Sequence, residues 1–400
     1  MLSSKQCMEL EAQYGARNYK PIPVVISKAE GAWVWDPEGK KYLDCLSAYS
    51  AVNQGHLHPR IVKALEDQMK SLTLTSRAFY NDRLGKYLKK LCEVTGMEVA
   101  LPMNTGAEAV ETGLKIARRW GYRVKGVQKD HAEIITARNN FHGRTSTIVS
   151  FSNDPVARDD YGPFMPGFMN IPFNDTDALE KAITPNTVAF LVEPIQGEAG
   201  VIIPDEGYLT KVREICTKHN VLFIADEIQT GFCRTGKMFA CDHENVKPDM
   251  ILLGKALGGG VFPVSAAATR KDVMDVITPG SHGSTFGGNP LACAVGEASM
   301  DVLIDEKLAE RSAELGAYFL EGIKKINAPI FKEVRGKGLF IAVELKEEAG
   351  GARKYTERMK EMGILAKETH VHTIRFAPPL IVDQATIDWA LGVLKDVFAE

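Results

Sequence analysis

The chain has no run that could cross a membrane. Its longest stretch free of Asp, Glu, Lys and Arg, residues 276–296, contains Pro279, Pro290 and five glycines, whereas a spanning helix needs about 20 predominantly apolar residues. A basic excess is also missing. With 48 Lys and Arg against 51 Asp and Glu the net charge is -3, which leaves no field to hold nucleic acid or an anionic membrane. Charges are interspersed, with no long block of one sign, no internal repeat and no low-complexity segment. Seven cysteines are an odd number with no pair at metal-finger spacing. Cys233, Cys241 and His243 lack the second Cys or His pair that a zinc site requires, so no metal is expected. Residues 1–19 lack the apolar core of a secretory leader, and Glu9 and Glu11 argue against an organellar presequence. Together with the cysteine usage this points to the cytoplasm.

What is present is an ordinary globular composition, 45% hydrophobic and 25% charged over 400 residues, long enough for two or three domains. Residues 21–26, 32–35 and 42–44, around the turn residues 36–39, read as a small β-meander. Helical periodicity begins at Pro59 and recurs over 83–91 and from Gly106 to about Gly121. Strand and helix signals then alternate: apolar runs at 132–137, 147–151, 188–193, 221–225 and 250–253, with a helix at 208–219. Such alternation predicts a mostly parallel sheet flanked by helices. After the glycine-rich segment 280–290 come two long helices, a strand at 338–344, a further helix, a strand at 373–377 and a last helix. The reading is an α/β protein: residues 1–50 packing with a C-terminal α+β unit at 290–400, and a large unit at 51–289.

The chemistry is concentrated in residues 221–255. Two buried-strand runs end there in Asp226-Glu227 and in Gly254-Lys255. In an open parallel sheet, groups at the carboxyl ends of strands face the ligand crevice, so one carboxylate and one amine share a mouth. A lysine can form a Schiff base with an aldehyde cofactor, and a carboxylate can keep a pyridine nitrogen protonated. A strand-end carboxylate also commonly caps a helix, and Gly-Lys commonly forms a turn. Thr105-Gly106-Ala107 opens a helix, where free amides favour a phosphate, though a plain capped helix has the same sequence. The spacing fits neither a Walker loop nor a dinucleotide fingerprint.

Nine runs, in matching order and spacing, carry a resemblance over about residues 19–379: NYKP at 18–21, YSAVNQGH at 49–56, MNTG at 103–106, FHGR at 141–144, EPIQGE at 193–198, DEIQTG at 226–231, LGK at 253–255, HGST at 282–285 and IRFAPP at 374–379. The chain resembles the class III aminotransferases of the pyridoxal phosphate fold-type I superfamily, and within it the branch that acts on the terminal amine of ornithine. The resemblance implies that Lys255 forms the Schiff base with pyridoxal 5'-phosphate and that Asp226 pairs with its ring nitrogen. It further implies that Gln229 bonds the ring hydroxyl, Phe141 stacks on the ring, and Gly106 and Ala107 hold the phosphate. Ser284 and Thr285 are implied to reach that phosphate from the neighbouring subunit of a homodimer. Glu198 is implied to pair with Arg375 until a 2-oxoglutarate carboxylate replaces it. Arg144 and Tyr19 are implied to hold the far carboxylate of ornithine, and Tyr49 to separate ornithine from acetylornithine or 4-aminobutyrate. His142 departs from the Trp found there in some ornithine enzymes. The alternatives implied are other ω-aminotransferases, including one for lysine, and glutamate-1-semialdehyde aminomutase.

Overall fold

The structure is a computed structural model that describes residues 2–399. Its centre is a seven-stranded sheet in the order Val99–Met103, Ser265–Thr269, Met250–Leu253, Leu222–Asp226, Thr187–Val192, Glu133–Ala137 and Phe168–Ile171. The five strands from Met250–Leu253 to Phe168–Ile171 pair in parallel, and Ser265–Thr269 runs antiparallel to both its neighbours. The central strands are buried on both faces, which is why they read as continuous apolar runs and not as alternating ones. Val110, Leu114 and Ala117 of the Gly106–Trp120 helix cover one face. Leu209, Val212 and Cys216 of the Tyr208–Lys218 helix cover the other.

Two four-stranded sheets complete the fold. Lys28–Glu30, Trp33–Trp35 and Lys41–Asp44 form an antiparallel meander, joined in parallel by Ile364–Leu365 from the far end of the chain. Phe331–Lys337, Phe340–Leu345, Thr373–Phe376 and Lys367–Thr369 form an antiparallel sheet. The helices Leu308–Ile326 and Gln384–Phe398 supply Phe319, Ile323, Leu394 and Phe398 to the core beside it. The Pro290–Asp305 helix lies against the large sheet's side of the molecule. The Ser299 hydroxyl donates to Ala256 O at 2.7 Å, and Arg60 and Lys90 pair with Asp305 and Asp301.

Several local expectations give way to specific causes. Residues 147–151 do not form a strand; Ser146–Val149 is one helical turn, capped by the Thr145 hydroxyl, which accepts from Ile148 N at 3.2 Å. Its apolar residues are buried because the turn lies over the core, and burial alone does not distinguish strand from helix. Residues 21–26 stay irregular, since Pro21 and Pro23 have no N–H for a ladder. The edge strand Phe168–Ile171 and the charged strand Phe331–Lys337 are additional. Both carry exposed positions that dilute the apolar signal.

Candidate active site

The carboxyl ends of adjacent parallel strands bring the expected groups together. Thr187–Val192 runs into Glu193, Leu222–Asp226 ends on Asp226, and Met250–Leu253 leads through Gly254 to Lys255. Glu133–Ala137 exits into the loop carrying Phe141 and His142, and Val99–Met103 delivers Asn104 and Thr105 to the same edge. A cavity of about 210 Å³ there is lined by Gly106, Ala107, Phe141, His142, Glu193, Asp226, Gln229 and Lys255. A second, of about 630 Å³, opens beyond it and is lined by Tyr19, Tyr49, Arg144, Glu198 and Arg375, sharing Phe141 and Lys255 with the first.

Asp226 and Glu227 are neighbours with opposite fates. Asp226 is 4% exposed; its Oδ1 accepts from Ile228 N at 3.0 Å, and its Oδ2 lies 2.6 Å from His142 Nδ1. Glu227 turns into the core, bonded by the Thr230 hydroxyl and by Cys241 N at 2.9 Å. Burial pushes its carboxyl up to about 6. Glu193 accepts from Phe141 N at 3.0 Å, and burial pushes its carboxyl up to about 7. His142 balances two influences. Burial disfavours its cation, but the bond and charge of Asp226 outweigh that and raise its pKa. Its Nε2 is buried without a hydrogen-bond partner among the described residues.

Lys255 sits where the two cavities meet, at φ 43° just after the extended Gly254. Its amine makes no salt bridge or hydrogen bond among the described residues, and burial pulls its pKa below the ordinary lysine value against Glu198 and Asp226. Desolvation of this kind makes an amine a readier nucleophile and base than an exposed lysine.

The anion end is the N-terminus of the Gly106–Trp120 helix. The Thr105 hydroxyl accepts from Glu108 N at 3.2 Å and the Glu108 carboxylate accepts from Thr105 N at 2.8 Å, a reciprocal capping box. Ala109 N reaches Thr105 O. The Gly106 and Ala107 amides take no partner among the described residues, so they are the ones left to point at an anion. Gly143, at φ 126°, packs on Ala107, where an added Cβ would come within 3.1 Å of the Ala107 Cβ. The wall beside the helix end therefore has to be glycine.

In the outer cavity Arg375 is 1% exposed. Its Nη1 donates to Glu198 Oε1 at 2.7 Å and to Gly197 O at 3.1 Å, while its Nε is buried without a partner among the described residues. Burial alone would raise the Glu198 carboxyl, but the Arg375 charge and hydrogen bond outweigh it and hold it below the usual range. The Arg375 guanidinium also lies 5.4 Å from the Tyr49 ring centre. Tyr49 is presented unusually: residues 47 to 50 all have positive φ, from 47° to 70°, a left-handed turn that strains L-residues. Asp44 Oδ1 accepts from both Leu46 N and Ser47 N at 2.9 Å, which pins the turn. Arg144 is exposed and pairs with no carboxylate among the described residues; its guanidinium stands 5.6 Å from the Phe141 ring.

Of the expected residues, Ser284 and Thr285 line neither cavity. Ser284 Oγ accepts from Asn104 Nδ2 at 2.9 Å, so this segment is tied to the root of the anion-facing helix. Glu193 and the bonding partner of His142 were not apparent from sequence. A strand-end carboxylate was the available signal for Glu193, and nothing local announces the contact between His142 and Asp226, which lie 84 positions apart.

These residues fit pyridoxal phosphate. The inner cavity offers free amides at one end for a phosphate, a buried carboxylate at the other for a ring cation, an aromatic wall at Phe141 and an unpaired amine at Lys255. Against known proteins, residues 14–398 match the family described as aminotransferase class-III. An ornithine aminotransferase of Brevibacillus brevis is 61% identical over 397 residues, 99% of each chain. The crystal structure of the ornithine aminotransferase from Toxoplasma gondii ME49 superposes with a TM-score of 0.98 at 47% identity, covering 100% of this chain and 96% of that one. That of an acetylornithine aminotransferase from Elizabethkingia anophelis gives 0.91 at 49% identity, covering all of both chains. With the family match and a 61% identical relative each spanning nearly all of the sequence, this chain belongs to the class III aminotransferases.

Proposed function

We propose that this chain transfers the terminal amino group of L-ornithine to 2-oxoglutarate with pyridoxal phosphate as cofactor. The products are glutamate and glutamate 5-semialdehyde, which cyclises to pyrroline-5-carboxylate. The observation that carries the reading is the Glu198–Arg375 ion pair at 2.7 Å in a cavity whose other arginine, Arg144, meets no carboxylate among the described residues. 2-Oxoglutarate brings two carboxylates and suits two cations, whereas ornithine entering by its δ-amine brings one. A second bare arginine facing that amine would be an uncompensated buried charge. Glu198 neutralises Arg375 for ornithine and yields it to the oxoacid. The identity with ornithine aminotransferases supports the same substrate.

Pyridoxal phosphate, when bound, supplies an aldehyde that takes up the amino group and a cationic ring that accepts the electrons of a broken C–H bond. The chain supplies the rest. The Gly106 and Ala107 amides would hold the phosphate, Phe141 would stack on the ring, Gln229 would bond the ring hydroxyl and Asp226 would keep the ring nitrogen protonated. His142 Nδ1 fixes the direction of that carboxylate. The Lys255 amine, where the two cavities meet, would hold the cofactor by its aldehyde and, once freed by substrate, would take up the proton from the carbon bearing the transferred nitrogen. Arg144 and Tyr19 hold the distal carboxylate of ornithine, and Tyr49 shapes the space between. Ser284 and Thr285 serve the phosphate of a second copy in a cytoplasmic homodimer. We divide the chain into 1–50, 51–289 and 290–400; the sheet shared by Lys41–Asp44 and Ile364–Leu365 supports joining the first part to the last.

The purified protein assayed with ornithine, acetylornithine and 4-aminobutyrate, each with 2-oxoglutarate, tests this directly. Ornithine is expected to give the highest kcat/KM. A higher value for either competitor would refute the substrate assignment, and amine shuffling without any oxoacid would mark an aminomutase instead.

A further inference from the structure

The stretch that carries Tyr19 has no regular structure of its own. It runs from Gly15 to Ser27, between the Ser4–Tyr14 helix and the Lys28–Glu30 strand. That helix buries none of its residues and touches the body through Ser4 on Glu38, so it does not anchor residues 15–27. Yet Tyr19 lines the substrate cavity while being 69% exposed. Something else has to set where its hydroxyl stands.

Among the described residues, one side chain from elsewhere hydrogen-bonds residues 16–23. Arg353, at the start of the Arg353–Glu361 helix, donates from Nη1 to Lys20 O at 3.1 Å and from Nη2 to Pro21 O at 2.6 Å. The same guanidinium donates from Nε to Glu357 Oε1 at 2.7 Å and from Nη1 to Glu368 Oε1 at 3.0 Å. Glu368 is a wall of the substrate cavity and is further held by Lys367 Nζ at 2.8 Å and the Thr356 hydroxyl at 3.2 Å. The next residue, Thr369, donates its hydroxyl to Glu198 O. The rigid fork of Arg353 thus joins two loose carbonyls beside Tyr19 to the strand that also backs Glu198.

We propose that Arg353 is a positioning residue for the substrate: it holds Tyr19 at the distance that the far carboxylate of a terminal-amine amino acid requires. This deepens the ornithine reading and rests on it. Carboxylate recognition tolerates little displacement: a hydroxyl moved beyond about 3 Å loses most of its hydrogen bond, worth about 1.5–3 kcal/mol to a charged group, or about 10- to 150-fold. 2-Oxoglutarate, gripped by Arg144 and Arg375, depends less on Tyr19.

The test compares Arg353→Ala and Arg353→Lys with the parent holoenzyme, alone and in a Tyr19→Phe background. For Arg353→Ala the expected result is an about tenfold higher KM for ornithine, with kcat and the KM for 2-oxoglutarate little changed. Arg353→Lys, which keeps the charge but not the fork, should fall between. In the Tyr19→Phe background the same change should add nothing to the ornithine KM. Trypsin cleavage after Arg17, read by mass, should quicken in Arg353→Ala. An unchanged ornithine KM, an equal rise in both KM values, a collapse of kcat, or additive effects with Tyr19→Phe would overturn the proposal. If the parent chain fails to turn over ornithine, the substrate reading falls instead, and an unchanged cleavage rate after Arg17 would then still overturn the clamp.

Discussion

The two cavities that meet at Lys255 are built in opposite ways. The inner one is made by neighbouring strands of a single sheet and the head of one helix, with Glu193, Asp226 and His142 nearly enclosed. The outer one is gathered from residues 19, 49, 144, 198 and 375, in segments far apart in the chain, and ranges from the 1% exposed Arg375 to the 69% exposed Tyr19. Bond-making groups need fixed geometry, which a buried sheet edge provides. Selection among amines is made by separate segments, and a substitution in one of them can change what is selected without disturbing Asp226 or Lys255.

Breaking the inner cavity should cost the most. Lys255→Ala is expected to lower kcat by more than about 10⁴, since the covalent attachment and the proton carrier disappear together; single-turnover kinetics with ornithine would read it, and turnover near the parent's would remove Lys255 from the chemistry. His142→Phe should lower kcat by about 10–100-fold, as loss of a partner that orients a liganding group does at metal sites, with both KM values little changed. A KM effect without a kcat effect would place His142 in the outer cavity's role.

Breaking the outer cavity should separate the half-reactions. In Glu198→Gln, Arg375 faces the ornithine amine without a counter-charge, so KM for ornithine should rise about tenfold or more while KM for 2-oxoglutarate falls. Measured half-reactions that change together would show that Glu198 is not the gate.

A last effect concerns stability and leaves turnover aside. The Glu193 carboxyl stands at about 7, above the usual 4.5, first because of burial. A raised value means that its contribution is fully present below pH 4.5 and is lost as pH rises through about 7, amounting to about 3 kcal/mol. Glu193→Gln should therefore flatten the decline of the cofactor-free protein's denaturation midpoint between pH 4.5 and 7. An equal slope in both proteins would mean that Glu193 is ionised in the folded state.

The strands that end on Asp226 and lead to Lys255 were legible because central strands of a parallel sheet are buried on both faces and leave continuous apolar runs. The helix opening at Gly106 was legible from its cap. The short turn at Ser146–Val149 was not, because Ile148, Val149 and Phe151 are buried over the core in a segment too short for a helical period to register. The edge strands Phe168–Ile171 and Phe331–Lys337 escaped because one side of each meets solvent.

By itself the sequence determined which side chains exist at strand ends, and hence that an amine, a carboxylate and an anion-facing helix end share one edge. Only the tertiary structure decided what those groups touch: His142 against Asp226, Glu198 against Arg375, Arg353 against the backbone beside Tyr19. Periodicity is a local consequence of backbone geometry, whereas a hydrogen bond between positions 84, 177 or 332 apart depends on how whole elements pack, and no local pattern encodes that.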